Sequence, residues 1–179
     1  PFGACRQMLV RMLALGEEET ARIEQELVDT ARQIDPERSW PELIEEIKLD
    51  HPSVEELIDA YRHEVELARQ QVLDHELVSI PSGERCDVEW GPAFQRGTIG
   101  LGNLSNAAPF EEGDQTIWTI TTIPPDWPAD RQESQLRDHN RVYLRSIAMH
   151  ETYPGHHLQR TITNRLDSHL LRCNKSTLF

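Results

Sequence analysis

The sequence is poor in cysteine, in positive charge and in long apolar runs, and each shortage removes a class of function. Its three cysteines, Cys5, Cys86 and Cys173, are far apart, odd in number and without CxxC spacing. They predict free thiols and exclude a disulfide framework or a zinc knuckle. Eighteen basic residues against 31 acidic ones leave a formal charge of -13. Nothing here would neutralise a phosphate backbone, so a nucleic-acid partner is excluded. No apolar stretch approaches the ~20 residues that a membrane span requires. The chain begins with Pro1 and ends in "NKSTLF", without a helix stop or a turn signal. Both ends read as those of an internal fragment, which leaves compartment and any leader sequence open.

What is present suits a soluble folded chain: 37% of residues are hydrophobic and 27% charged, a balance outside the disordered range. A length of 179 residues is enough for one domain or part of a larger one. Residues 1–80 read as a helical segment. In "GEEETARIEQELVDTARQI" the apolar Ile23, Leu27, Ala31 and Ile34 recur at helical spacing. Glu17, Glu18 and Glu19 sit where a first turn would favour acidic residues. Ser39 with Glu42 and Ser53 with Glu56 are capping-box pairs. From Ser53 the stripe Leu57, Tyr61, Val65, Ala68, Val72 predicts a helix of about seven turns, ending before Pro81.

Residues 81–128 form a strand and loop segment. "CDVEW" alternates like a short strand, and "QTIWTITTI", from Gln115 to Ile123, is rich in β-branched residues. The glycines of "FQRGTIGLGNLSN" imitate a dinucleotide loop, but no helix signal follows them, so the nucleotide reading is rejected and "NLSNAAPFEEGD" reads as loop. After "PPDWP", residues 129–179 predict one helix from about Asp130 through Leu136, Tyr143 and Ile147 to His150, then a following helix. The order of elements implies an α+β fold, predominantly helical, with the small strand region ahead of the motif helix.

The chemistry concentrates in "AMHETYPGHHLQ", residues 148–159. A zinc-peptidase helix carries HExxH, because positions i and i+4 share a face and the glutamate beside the first histidine reaches the metal's water. Here Pro154 stands at i+4, and the histidines follow at i+6 and i+7, His156 and His157. On a straight helix i+6 faces the wrong side and i+7 lies about 10.5 Å along the axis, whereas two nitrogens on one zinc lie within ~4 Å. Pro154 must open the helical ladder at this turn, and Gly155 tolerates unusual backbone angles. A widened turn or a π-type bulge absorbing two residues would bring His156 to the ligand position. His157 would need three residues absorbed. It is the alternative ligand, or otherwise an outer donor or substrate contact, as Tyr153 could also be. The competing reading is a helix end with surface polar residues.

"HETYPGHHLQ" resembles the HExxPGHH-type signature of the bacterial family called domain of unknown function 885, grouped with zincin-like metallopeptidases. "LGEEETARIEQEL", "YRHEVELARQQV" and the strand region before the motif resemble the same family, so that the likeness covers essentially the whole chain. The resemblance implies a zincin-like fold, His150 and His156 as zinc ligands, and Glu151 as catalytic base. It also implies a third ligand, a glutamate in a segment resembling "EGWALY", which these 179 residues do not contain.

The function expected is a zinc-dependent hydrolase, a metallopeptidase using water activated by one zinc ion, with Glu151 as general base and a peptide or a small amide or ester as substrate. The fragment as given would be inactive without its third ligand. His/His/carboxylate sets also accept other first-row ions. Gln115–Ile120 is the candidate edge strand for an extended peptide, with buried sheet as the equal alternative, and Tyr153 and Tyr143 are candidate oxyanion donors or else core aromatics. The alternatives are a catalytically silent zincin-like binding or scaffold module, and a metal-dependent esterase or amidase. His169 with Cys173, and His51, His63 and His75, are assigned no role.

Overall fold

A computed structural model describes residues 2–111, 113 and 115–173 of the chain, leaving aside the side chains of residues 2–5. The Cys5 side chain and the final "NKSTLF" therefore lie outside what is described. The chain divides into two compact units, Pro1–Ile47 and Lys48–Phe179.

The first unit holds α1 (Phe2–Ile34) and α2 (Trp40–Ile47). Because α1 already begins at Phe2, Glu17, Glu18 and Glu19 lie mid-helix rather than in a first turn, and Glu19 pairs with Arg22 at 2.7 Å. The expected apolar stripe forms helix, but of its members Ala31 is buried while Ile23, Leu27 and Ile34 are exposed. The Glu42 half of the expected capping box forms: the Ser39 backbone N–H and hydroxyl both donate to the Glu42 carboxylate, at 2.8 and 2.6 Å.

The second unit carries the core and the motif. Ser53 and Glu56 bond reciprocally, main chain to side chain, at 3.1 and 3.3 Å, and lead into α3 (Leu57–Asp74). This helix has 18 residues, about five turns rather than seven. Past Asp74 the chain enters Glu76 at φ 49°, where helix cannot continue. One face of α3 buries Leu57, Ile58, Tyr61, Val65, Ala68 and Val72, and these share a single core with Val88, Trp118, Ile120, Leu144, Ala148 and Leu158. Each such side chain taken out of water contributes roughly 1.5–3 kcal/mol. Tyr61 meets Trp118 edge to face at 4.9 Å, and its hydroxyl bonds Nδ1 of the fully buried His139 at 2.8 Å.

Three strands form one sheet in the order β1 (Arg85–Trp90), β3 (Gln115–Ile120), β2 (Gly102–Asn106), with β1 parallel and β2 antiparallel to β3. Two expectations are corrected here. "GNLSN" is strand rather than loop: its polar side chains belong to an outer strand that is mostly exposed. β3 is the central strand and not an edge, and it alternates as a half-buried strand should, with Thr116, Trp118 and Ile120 buried. Its β-branched and aromatic composition is what a strand paired on both sides requires.

The single helix expected from Asp130 to His150 is two, α4 (Ala129–Asp138) and α5 (Arg141–Glu151). Asn140 separates them: its side-chain oxygen accepts from the Tyr143 N–H at 2.9 Å, an N-cap that starts a new helix. α6 (His156–Asn164) and α7 (His169–Cys173) follow. No helix among the described residues is long and apolar enough to cross a membrane.

Candidate metal centre at the motif turn

The motif is a helix break, not a bulge within one helix. α5 ends at Glu151, and the hydroxyl and N–H of Thr152 both bond the carbonyl of Ala148, at 2.6 and 2.9 Å, sealing the last turn. The Tyr153–Pro154 peptide is cis, and a new helix starts at His156 with Gly155 as its N-cap. The Thr152 carbonyl accepts from the Leu158 N–H at 3.3 Å, which ties the end of α5 to the start of α6. Gly155 takes an unusual backbone conformation, φ -70° with ψ -143°, outside the ordinary helical and extended regions. The need is also for space, since a Cβ there would lie 1.8 Å from the His150 carbonyl oxygen and 2.5 Å from that of Met149. Backbone packs directly on backbone, and only glycine permits it.

This fold of the turn brings His150 and His156 together with ring centres 4.7 Å apart and planes at 81°. Two imidazoles sharing one zinc at about 2.0–2.1 Å through nitrogen hold their ring centres roughly 5 Å apart. The observed separation of the ring centres is close to that spacing. Both rings line an open pocket of about 250 Å³ with Pro154, Gly155 and Gln159. Glu151, half-buried, follows His150 without joining that lining; its charge helps to raise the pKa of the Cys86 thiol and the Tyr143 phenol. Burial is the larger cause in both cases, and it pushes Cys86 up to about 12, far from a reactive thiolate. Among the described residues, no group of three or more His, Cys, Asp or Glu side chains is placed to hold a metal ion.

His157 stands next to His156 and has the opposite environment. Successive residues of a helix are turned by about 100°, so while His156 opens on the pocket, His157 enters the interior with Leu158 and Thr161 and is fully buried. Both its ring nitrogens are taken: Nε2 bonds Glu84 at 2.8 Å and Nδ1 bonds Thr116 at 2.7 Å. Tyr153 is buried as well, and its hydroxyl donates to the same Glu84 oxygen at 2.5 Å. Neither residue lines the pocket, and the Tyr153 hydroxyl is taken up by Glu84.

The family description "Bacterial protein of unknown function (DUF885)" matches residues 8–176. The chain belongs to this family. A comparison with curated proteins finds no match. Among solved structures, the DUF885 chain is similar to "a putative lipoprotein of unknown function from Shewanella oneidensis", with a TM-score of 0.69 over 87% of its length at 16% identity. At that identity the likeness speaks for the fold, and the chain spans only 29% of that longer protein.

The residue that sequence reasoning missed in this DUF885 chain is Glu84. Its side chain is 3% exposed, and it also accepts from Arg69 of α3 at 3.3 Å. Burial alone would raise its pKa, but hydrogen bonds from Tyr153 and His157, with the His157 and Arg69 interactions, hold the carboxyl below its ordinary range. Glu84 lies 73 residues from His157, in the "PSGER" turn ahead of β1, where no motif marks it.

Proposed function

We propose that this chain carries the motif half of a zinc-dependent hydrolase, with a peptide as substrate. The observation that supports it most is the His150–His156 pair, whose ring centres lie 4.7 Å apart over a pocket that Gln159 also lines. His150 and His156 would hold the ion, and the third ligand would come from outside the described residues. When bound, zinc supplies Lewis acidity and lowers the pKa of a water towards ~7. Glu151 is the base that takes the proton of the attacking water and passes it to the leaving group. Cys86 and Tyr143, protonated by burial, add no charge beside it.

An extended peptide would pair with a sheet edge. β3 has partners on both sides, so the outer strand β2 takes that role in this reading: Asn106 bonds Arg160 of α6 at 2.9 Å, and the Ala107 carbonyl just beyond β2 accepts from Asn164 of α6 at 3.1 Å. The test is zinc content by plasma mass spectrometry on the purified full-length protein and its His156→Ala variant, followed by peptide-library hydrolysis with Glu151→Gln. The reading requires near-stoichiometric zinc lost on His156→Ala, and turnover lost with zinc retained on Glu151→Gln. A metal-free wild type would sink it; zinc with ester but no peptide cleavage would move the substrate class.

A further inference from the structure

The motif turn has a buried back as well as an open face, and one carboxylate holds it from both sides. Tyr153 precedes Pro154–Gly155 and His157 follows it, and Oε2 of Glu84 accepts from both, at 2.5 and 2.8 Å. Beyond His157 the chain of bonds continues without a gap. Thr116 of β3 bonds Nδ1 and accepts from Asn106 of β2 at 2.7 Å, and Asn106 accepts from Arg160 at 2.9 Å. One tautomer satisfies every partner: His157 donates from Nε2 to the carboxylate and accepts at Nδ1 from the threonine hydroxyl. The ends of the turn are thereby tied to a residue ahead of β1 and to the central strand, rather than only to each other.

We propose that Glu84 is the positioning residue of this turn. It sets the separation of His150 and His156 by holding Tyr153 and His157, without touching metal or substrate. The inference rests on the reading of His150 and His156 as a metal pair only for its consequence; the geometric claim stands apart from it. It follows from where the turn is held. Pro154 has no N–H to give, Gly155 has no side chain, and a Leu158-to-Thr152 main-chain bond spans the break. Removing the carboxylate would release both flanks of the turn at once, and the ring of His156 moves with its neighbour's backbone. Charge is not the essential property: a glutamine at 84 retains an oxygen that can accept from Tyr153 and His157, while its amide turns towards Arg69, whose side chain is 36% exposed and free to swing away.

The test compares wild type with Glu84→Ala and Glu84→Gln in two readouts on the full chain. The first needs no metal: the nuclear Overhauser contact between the ring protons of His150 and His156. The second is cobalt(II) titration followed by its visible d–d spectrum. Glu84→Ala is expected to keep a cooperative thermal transition, lose the ring–ring contact and bind cobalt about 10–100-fold more weakly. Glu84→Gln is expected to restore the contact and stay within about threefold of wild type. A Glu84→Ala protein that keeps the contact overturns the proposal. If that variant does not fold, Tyr153→Phe decides, since it removes one hydroxyl and leaves the packing: a weakened contact supports the proposal and an unchanged one overturns it. Should wild type bind no cobalt, the metal reading fails by itself, and the ring contact still decides the role of Glu84.

Discussion

His156 and His157 are neighbours in sequence, identical in chemistry, and placed in opposite surroundings. His156 lines an open pocket beside His150, while His157 is fully enclosed with both nitrogens bonded. The pair teaches that a motif letter does not carry a role. Rotation by about 100° per residue separates a side chain that can meet a ligand from one that organises the protein.

The comparison can be broken most forcefully at the back. Glu84→Ala leaves the Tyr153 hydroxyl and the His157 imidazole buried without their acceptor, and the loss expected is about 3–5 kcal/mol in urea unfolding. A smaller effect is expected from the third kind of histidine in the chain. His139 is buried with Nδ1 bonded to Tyr61 and Nε2 without a protein partner, and burial lowers its pKa to about 4. As pH falls below about 6.5, the unfolded chain takes up a proton that the folded chain refuses until near 4, so stability declines across that window. The decline is on the order of 3 kcal/mol and levels off below it. Urea midpoints against pH, with the His139 ring titration read by NMR, check both the window and the sign. Glu84 adds a further loss at lower pH, because its depressed pKa stabilises the fold only while the group is ionised.

Gly155→Ala sharpens the comparison at the hinge between the two faces. A methyl 1.8 Å from the His150 carbonyl oxygen forces the two helix ends apart, at about 2–3 kcal/mol. The same change separates the His150 and His156 rings, which the ring–ring nuclear Overhauser contact would report. The smallest effect belongs to the open face: His156 is half-buried against the His150 ring, and His156→Ala should cost about 1 kcal/mol. A thermal midpoint slightly below wild type, beside the large shift of Glu84→Ala, is the result expected.

Much of the frame was legible before any coordinates. The capping pairs at Ser39 and Ser53, the α3 stripe from Leu57 to Val72 and the alternating β3 are local patterns, and local patterns survive folding. The errors have local causes as well. Asn140 is a helix start written as a single residue inside an otherwise continuous apolar period. β2 is polar because it is an outer strand, so its composition read as loop. The π-bulge failed because it kept one helix, whereas proline and glycine together end α5 and let α6 begin on a new axis.

By itself the sequence determined that the chain is acidic and helix-rich, and it singled out His150, Glu151 and the two late histidines as the candidate site. Charge balance and short-range periodicity depend only on which residues stand near one another along the chain. Tertiary structure alone decided that His157 turns inward and that Glu84 and Thr116 receive it. Those contacts join residues 41 and 73 positions apart. They exist only because strand pairing and core burial bring distant segments together, and no spacing rule along the chain encodes them.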